Sequence, residues 1–197
     1  MFSRILGIIL LLILLPVILF FSLLILIFNG RPVLFIQKRL GADGKSFKFY
    51  KFRTMVKGAQ KMKIKWQRDN PELWKEYEKN NFKLKDDYRV TKLGKFLRMT
   101  SIDEIPQIIN IIKGDMNFIG PRPILLREKQ YYGTSYRYYI KATPGVTGMW
   151  QISGRSDTTF NERVKFDRYY ILNRSLRLDL CILLKTFYVT LFKKGSY

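Results

Sequence analysis

Histidine is absent from this 197-residue chain. That removes the commonest proton-transfer side chain near pH 7 and the usual imidazole-based metal sites. Chemistry must then rest on carboxylates, Lys, Tyr or a hydroxyl, and any metal is a hard cation held by oxygen. One cysteine, Cys181, excludes a disulfide within the chain. Its setting in the run LDLCILL predicts a buried, inert thiol. Acids are scarce too: 15 Asp and Glu face 36 Lys and Arg, a formal net charge of +21. Such a charge suits nucleic acid, anionic lipid or phosphate-bearing substrates. Neither G-x-G-x-x-G nor a Walker sequence occurs, so dinucleotide and P-loop readings have no support. Internal repeats and low-complexity tracts are also missing.

Apolar residues are plentiful, at 47% hydrophobic and 15% aromatic. Disorder is excluded by that richness. The length allows one membrane segment and a soluble domain of roughly 150 residues. Residues 5–28 are wholly uncharged and contain one proline, Pro16. A straight helix of that length covers about 36 Å, enough to span a bilayer. A cleaved signal peptide is disfavoured, because the run is long and FNGRPV offers no small-x-small site. Two arrangements stay open: a span kinked at Pro16, or a re-entrant hairpin in which Pro16 separates two short legs. Arg4 precedes the segment, and residues 31–68 carry twelve Lys or Arg against one acid, Asp43. Both flanks favour the cytoplasmic side, which a hairpin satisfies and a span does not. A greasy segment joined to a cationic surface puts the function at an anionic lipid–water boundary.

Beyond the membrane segment, PVLFIQKRLGADGKSFKFYKFRTM predicts two strands around a turn at Gly41 and Asp43–Gly44. Phe47, Phe49, Tyr50 and Phe52 alternate there with Lys45, Lys48, Lys51 and Arg53. That interleaving suits nucleic acid or lipid headgroups alike. Residues 56–80 show helical spacing interrupted near Asn70–Pro71, with Pro71 opening a second helix. Trp66, Leu73, Trp74 and Tyr77 read as packing anchors. The last helical stretch, SLRLDLCILLKTFYVTLFKK, reads as a membrane-surface helix or a core helix, with Lys193 and Lys194 at its end.

The most chemically suggestive segment is TSIDEIPQIINIIKGD, with Asp103 and Glu104 directly before an apolar helix. One reading is structural: Ser101 and Glu104 have capping-box spacing, and acids suit the first turn of a helix. Pro106 argues against Ser101 as the cap and for Asp103, which leaves the proline at N3. The other reading is catalytic. A carboxylate held as an anion at a helix start is a nucleophile if aligned with a phosphate. Arg98, Arg122 and Arg155, with Lys113 as a weaker option, are the cations to offset phosphate repulsion. Glu104 suits Mg²⁺ binding or proton transfer. GPRP at 120–123 fixes Arg122 in a stiff turn. KATPGVTGMWQISGR joins turn signals to Trp150, Gln151 and Arg155, which could line a nucleotide or sugar pocket or, for Trp150, the core.

SIDEIPQIINIIKGDMNFIGPRP and PGVTGMWQISGR resemble the signature segments of the bacterial sugar transferases, the monotopic phosphoglycosyl transferases. The upstream PVLFIQKRLGADGKSFKFYKFRTM and downstream DTTFNERVKFDRYYILNRSLRLDL match in the same order, so the resemblance covers nearly the whole chain. In type it is closest to the catalytic region of undecaprenyl-phosphate galactose phosphotransferases. Those often carry further amino-terminal membrane helices and a regulatory domain, so this chain reads as a compact form or a fragment.

The resemblance implies a compact α+β catalytic domain at 31–197, with membrane-surface helices, behind a re-entrant membrane element at 1–30. Pro16 matches the family's membrane-break proline, although Leu15 stands where many members have Ser. The implied reaction is ping-pong. Asp103 resembles the nucleophile that attacks the sugar-linked phosphorus of a UDP-sugar and releases UMP. A polyprenyl phosphate, in type undecaprenyl phosphate, then takes the phosphosugar. Glu104 matches the partner acid associated with Mg²⁺, for which Asp103 is the second ligand candidate. Arg98, Arg122 and Arg155 fall at basic positions suited to phosphate or nucleotide, and Asp179 matches the LD position of the last helix. UDP-galactose is the first donor expectation, with UDP-glucose or an N-acetylated UDP-sugar as alternatives.

The implied setting is the cytoplasmic face of the bacterial inner membrane, among anionic lipids and downstream glycan-assembly enzymes, with a homo-oligomer compatible. Two rivals remain. A membrane-tethered nucleic-acid binder explains the charge but leaves the acid pair and GPRP without a purpose. A non-catalytic scaffold would keep the fold and form no phosphosugar adduct.

Overall fold

A computed structural model of the chain describes residues 2–79, 84, 86–154 and 158–191. Helix α1, Phe2–Asn29, runs through Pro16 without interruption. The sequence left open two separate legs. A single proline removes one hydrogen-bond donor, and the helix absorbs that loss. The less exposed residues of α1 form one stripe at helical spacing, through Gly7, Leu14, Ile18, Phe21 and Ile25. Pro16 lies on the opposite side, roughly half a turn away at about 100° per residue. Gly7 sits against Ile111 and Ile112, where an added Cβ would lie 3.2 Å from Ile112 Cγ1. Ile25 is fully buried with Phe52 and Leu97. The face around Leu12, Ile13, Leu19, Phe20 and Leu23 is bare hydrocarbon.

Strands β1, Leu34–Leu40, and β2, Ser46–Phe52, form the expected antiparallel hairpin, with Leu34 opposite Phe52 and Leu40 opposite Ser46. Asp43 and Gly44 both adopt positive φ in its turn, as the Asp-Gly pair predicts. The period of two divides β2 into Phe47, Phe49 and Lys51 on one face and Tyr50 and Phe52 on the other. Phe49 packs with Ile111 and Met116 while Phe52 packs with Leu97, so β2 is covered on both sides.

The interruption expected near Pro71 separates α2, Ala59–Asp69, from α3, Pro71–Lys79. Trp66 and Tyr77 are buried against each other's edges, as packing anchors. Helix α4, Lys92–Met99, starts at Thr91, whose hydroxyl accepts from Gly94 N at 2.9 Å. Gly94 lets α4 approach the end of β2, since any Cβ there would overlap the Thr54 carbonyl. A 3-10 turn, Ile102–Gln107, then leads into α5, Ile108–Lys113.

Strand β3, Asn117–Ile119, pairs in parallel with β4, Gly145–Thr147, across an excursion containing α6, Lys129–Tyr132, and α7, Tyr136–Tyr139. Helices α8, Met149–Ile152, α9, Phe160–Leu172, and α10, Leu176–Leu191, complete the described chain. Helix α10 combines its two expected characters. Ile182 is fully buried, whereas Leu176, Leu180, Leu184 and Phe187 are exposed. Cys181 is exposed on α10, not buried. The apolar run that suggested a core setting belongs largely to a helix face that no described residue covers. Lys193 and Lys194 lie outside the described residues. The fold is therefore α+β: one apolar helix joined to a mixed domain.

Candidate active site

Asp103 and Glu104 lie in the 3-10 turn, not at a helix cap. Ser101 takes a left-handed conformation, φ 58°, after the end of α4, and its side chain caps nothing. Glu104 N instead donates to Ser101 O at 3.1 Å. Both capping alternatives are thus corrected. Pro106 sits inside the tight turn, and α5 begins only at Ile108.

The turn presses Asp103 against β2, with only 6% of the residue exposed. Lys51 Nζ donates to Asp103 Oδ2 at 3.3 Å and to Glu104 Oε1 at 2.6 Å. In the sequence Lys51 is one of several interleaved cations. Its placement beside Phe49 on a covered strand face was the available signal, because a lysine buried there needs a counter-charge. Burial pulls the Lys51 ammonium down, but Glu104 and then Asp103 outweigh it and leave the group above its ordinary value. Asp103 is also pushed up: burial and Glu104 raise it, and Lys51 opposes them. The helix-start reading implied the reverse. Exclusion from water dominates because no helix dipole begins at Asp103.

Arg98 does join the acid pair. Its Nε donates to Thr54 Oγ1 at 2.9 Å, and burial lowers its pKa against the pull of Asp103. Arg122 is close enough for its charge to oppose that of Lys51. The GPRP turn holds it firmly: Arg122 N donates to Asp167 Oδ1 at 3.4 Å, and its carbonyl lies 3.0 Å from the Tyr139 hydroxyl. Its guanidinium lies over Trp150, 5.0 Å from the ring centroid, and Arg163 lies at 4.9 Å from the same ring. Trp150 is buried as core while also serving as the platform for two cations.

Around this stack are buried polar atoms with no hydrogen-bond partner among the described residues: Trp150 Nε1, Gln151 Oε1, Arg163 Nη2 and Arg39 Nε. Gln151 is anchored by its amide nitrogen to Val146 O at 3.2 Å. Sequence reasoning passed over Arg39, Arg163 and Asp167. Burial, then Arg122, lowers Arg39 to about 9. The same two causes lower Arg163 to about 10. Asp167 is almost wholly buried, receives Tyr132 Oη–H at 2.6 Å, and is raised by burial to about 7 against that donor and Arg122.

Two expected residues are elsewhere engaged. Lys113 Nζ donates to Tyr50 Oη at 2.9 Å, on the strand face away from Lys51. Asp179 accepts from Tyr170 Oη at 2.7 Å and lies 3.9 Å from Arg174 Nε, a brace between α9 and α10. Arg155 lies outside the described residues.

Among the described residues, no cluster of three His, Cys, Asp or Glu side chains is present to hold a metal. The adjacent carboxylates that share Lys51 among the described residues are Asp103 and Glu104. They fit Mg²⁺, which commonly takes one or two carboxylates and completes its shell with water and substrate phosphate. Lys51 occupies the charge-neutralising position between them.

Residues 1–193 match the family model described as bacterial sugar transferase. The chain belongs to that family, and its class is sugar transferase. It is 44% identical over 169 residues to an undecaprenyl-phosphate galactose phosphotransferase of Salmonella typhimurium, covering 86% of this chain and 35% of that protein. An uncharacterised sugar transferase of Haemophilus influenzae shows 44% identity over 169 residues, covering 86% of this chain and 36% of its own length. The exopolysaccharide production protein ExoY of Sinorhizobium fredii is 40% identical over 169 residues, covering 86% of this chain and 74% of its own. The chain thus spans little more than a third of the first two relatives.

Proposed function

We propose that this chain transfers a phosphosugar from a UDP-sugar to a polyprenyl phosphate, releasing UMP, as a membrane-bound phosphoglycosyl transferase. The observation that carries the reading is the buried Asp103–Glu104 pair bridged by Lys51, beside Arg98 and Arg122. One oxygen of Asp103 forms a bond to the sugar-linked phosphorus while the bond from that phosphorus to the bridging oxygen breaks and UMP departs. An oxygen of the polyprenyl phosphate then attacks the same phosphorus and frees the Asp103 carboxylate. The product is a polyprenyl diphosphate sugar.

Attack needs Asp103 ionised, and burial works against that. Lys51 opposes that effect, favouring the anion, and shields it from the incoming phosphates. Arg98 and Arg122 supply further positive charge, and guanidinium pairs suit diphosphate oxygens. The unpartnered Trp150 and Arg163 donors offer hydrogen bonds to the nucleotide portion. Asp103 and Glu104 would also hold Mg²⁺, which when bound neutralises charge on the diphosphate. UDP-galactose is the proposed donor, after the named galactose phosphotransferase relative.

Residues 1–30 are proposed as a re-entrant element and 31–197 as the catalytic domain on the cytoplasmic face of a bacterial inner membrane. The contacts of α1 support this. Arg4, near its start, lies against Gly114, and Asn29 at its end donates to Thr91 Oγ1 at 3.2 Å. Both ends therefore touch the same soluble unit. A proline kink bends a helix away from the proline, so the inner side of a bend at Pro16 is the stripe that meets the domain.

The test is Mg²⁺-dependent UMP release by protein in lipid nanodiscs, with undecaprenyl phosphate and a panel of UDP-sugars, beside Asp103→Asn. Release with one sugar, lost in the folded variant, supports the reading and names the donor. Silence across the panel from folded protein contradicts it.

A further inference from the structure

The four residues from Lys51 to Thr54 do three different things. Lys51 bridges the acid pair, and Thr54 orients Arg98. Between them Arg53 turns the other way, toward the exit of α1. Its Nη1 donates to Arg31 O at 3.0 Å, and its Nη2 donates to Gly30 O at 2.6 Å and to Asn29 O. Its backbone N–H donates to Val33 O at 2.9 Å. Arg53 is 7% exposed.

Asn29 O is the last carbonyl of α1, without a partner in the helix and at its negative end, and Gly30 O and Arg31 O follow just beyond it, so a guanidinium is favoured there. A planar fork serves several carbonyls at once, which a lysine ammonium on a flexible stem does less well. With Ile25 packed on Phe52, this clamp ties the end of α1 to β2. The helix that sits in lipid and the strand that carries Lys51 are thereby fixed at one height relative to each other.

Resting on the reaction proposed above, we infer that Arg53 is a positioning residue: by clamping the exit of α1 it sets the height of Asp103 over the lipid face. It thus governs entry of the long-chain lipid phosphate and not of the nucleotide sugar. Arg53→Lys and Arg53→Met test this in nanodiscs of phosphatidylethanolamine and phosphatidylglycerol. The expected outcome is a KM for undecaprenyl phosphate raised about tenfold in Arg53→Lys and more in Arg53→Met. The KM for UDP-sugar and the single-turnover release of UMP without acceptor stay within twofold. A short-chain prenyl phosphate, free to approach from water, shows no such rise.

A second readout needs no activity. A nitroxide on Cys181, the lone cysteine, reports the depth of α10 through collisions with lipid-dissolved oxygen, and its accessibility should shift in Arg53→Lys. If wild-type protein releases no UMP, the reaction reading fails while this depth shift still judges the clamp. Unchanged depth with unchanged KM for the lipid overturns the inference. So does a parallel loss of both half-reactions, or unfolding of both variants, either of which makes Arg53 merely structural.

Discussion

Replacing Lys51 by methionine keeps an unbranched stem of similar length and deletes the ammonium that sits 2.6 Å from Glu104 and 3.3 Å from Asp103. Removing one partner of a fully buried pair costs about 3–5 kcal/mol. Here the Lys51 side chain is 25% exposed and that of Glu104 37%, so water recovers part of the loss. About 2 kcal/mol of lost anion stabilisation remains, worth roughly 30-fold in rate. The same loss raises the already elevated Asp103 pKa further, because Lys51 is the nearest charge opposing burial there. The assay is kcat/KM for UMP release across pH 5–9. Activity at pH 7 should fall roughly 30-fold, the acid limb should move to higher pH, and part of the loss should return in alkali. A uniform drop with an unmoved acid limb would refute the role given to Lys51 and leave it a packing residue.

Glu104→Gln should lower kcat while Asp103 still forms some adduct, as read by quenched-flow labelling. Gly94→Ala should cost about 3 kcal/mol, the upper range for overpacking, because the new Cβ meets the Thr54 backbone and not a yielding side chain. Thermal unfolding would register it as a markedly lower midpoint. Asp167→Asn should flatten the pH dependence of stability. Its folded pKa, about 7, lies above the unfolded value near 4, so its contribution is complete below about pH 4 and lost as pH rises through 7. Unfolding midpoints measured from pH 4 to 8 should decline with pH more steeply in wild type than in the variant.

The hairpin was readable because its signals are local: a turn pair at Asp43–Gly44 and alternating aromatics on β2. The apolar helix and the break before Pro71 were readable for the same reason. Asp103 and Glu104 stood out by type and by family likeness. Their partner did not, because Lys51 is brought to them across about fifty residues of chain by packing of the 3-10 turn on β2. Lys113, by contrast, looked available but is turned to Tyr50 by the geometry of α5. The parallel pairing of β3 with β4 joins two three-residue strands with an intervening helical excursion, too short a pattern for periodicity to reveal. Asp167 was hidden in a charged helix whose pattern gives no hint that one acid faces inward.

Asp103 is expected to become covalently attached to the phosphosugar during turnover. Protein in nanodiscs would be mixed with UDP-galactose and Mg²⁺ without acceptor, quenched in acid, and its peptides mapped by mass spectrometry. The expected result is a hexose-phosphate adduct on Asp103 that disappears when undecaprenyl phosphate is supplied before quenching. Sustained turnover with no adduct on Asp103, or turnover persisting in Asp103→Asn, would contradict the mechanism.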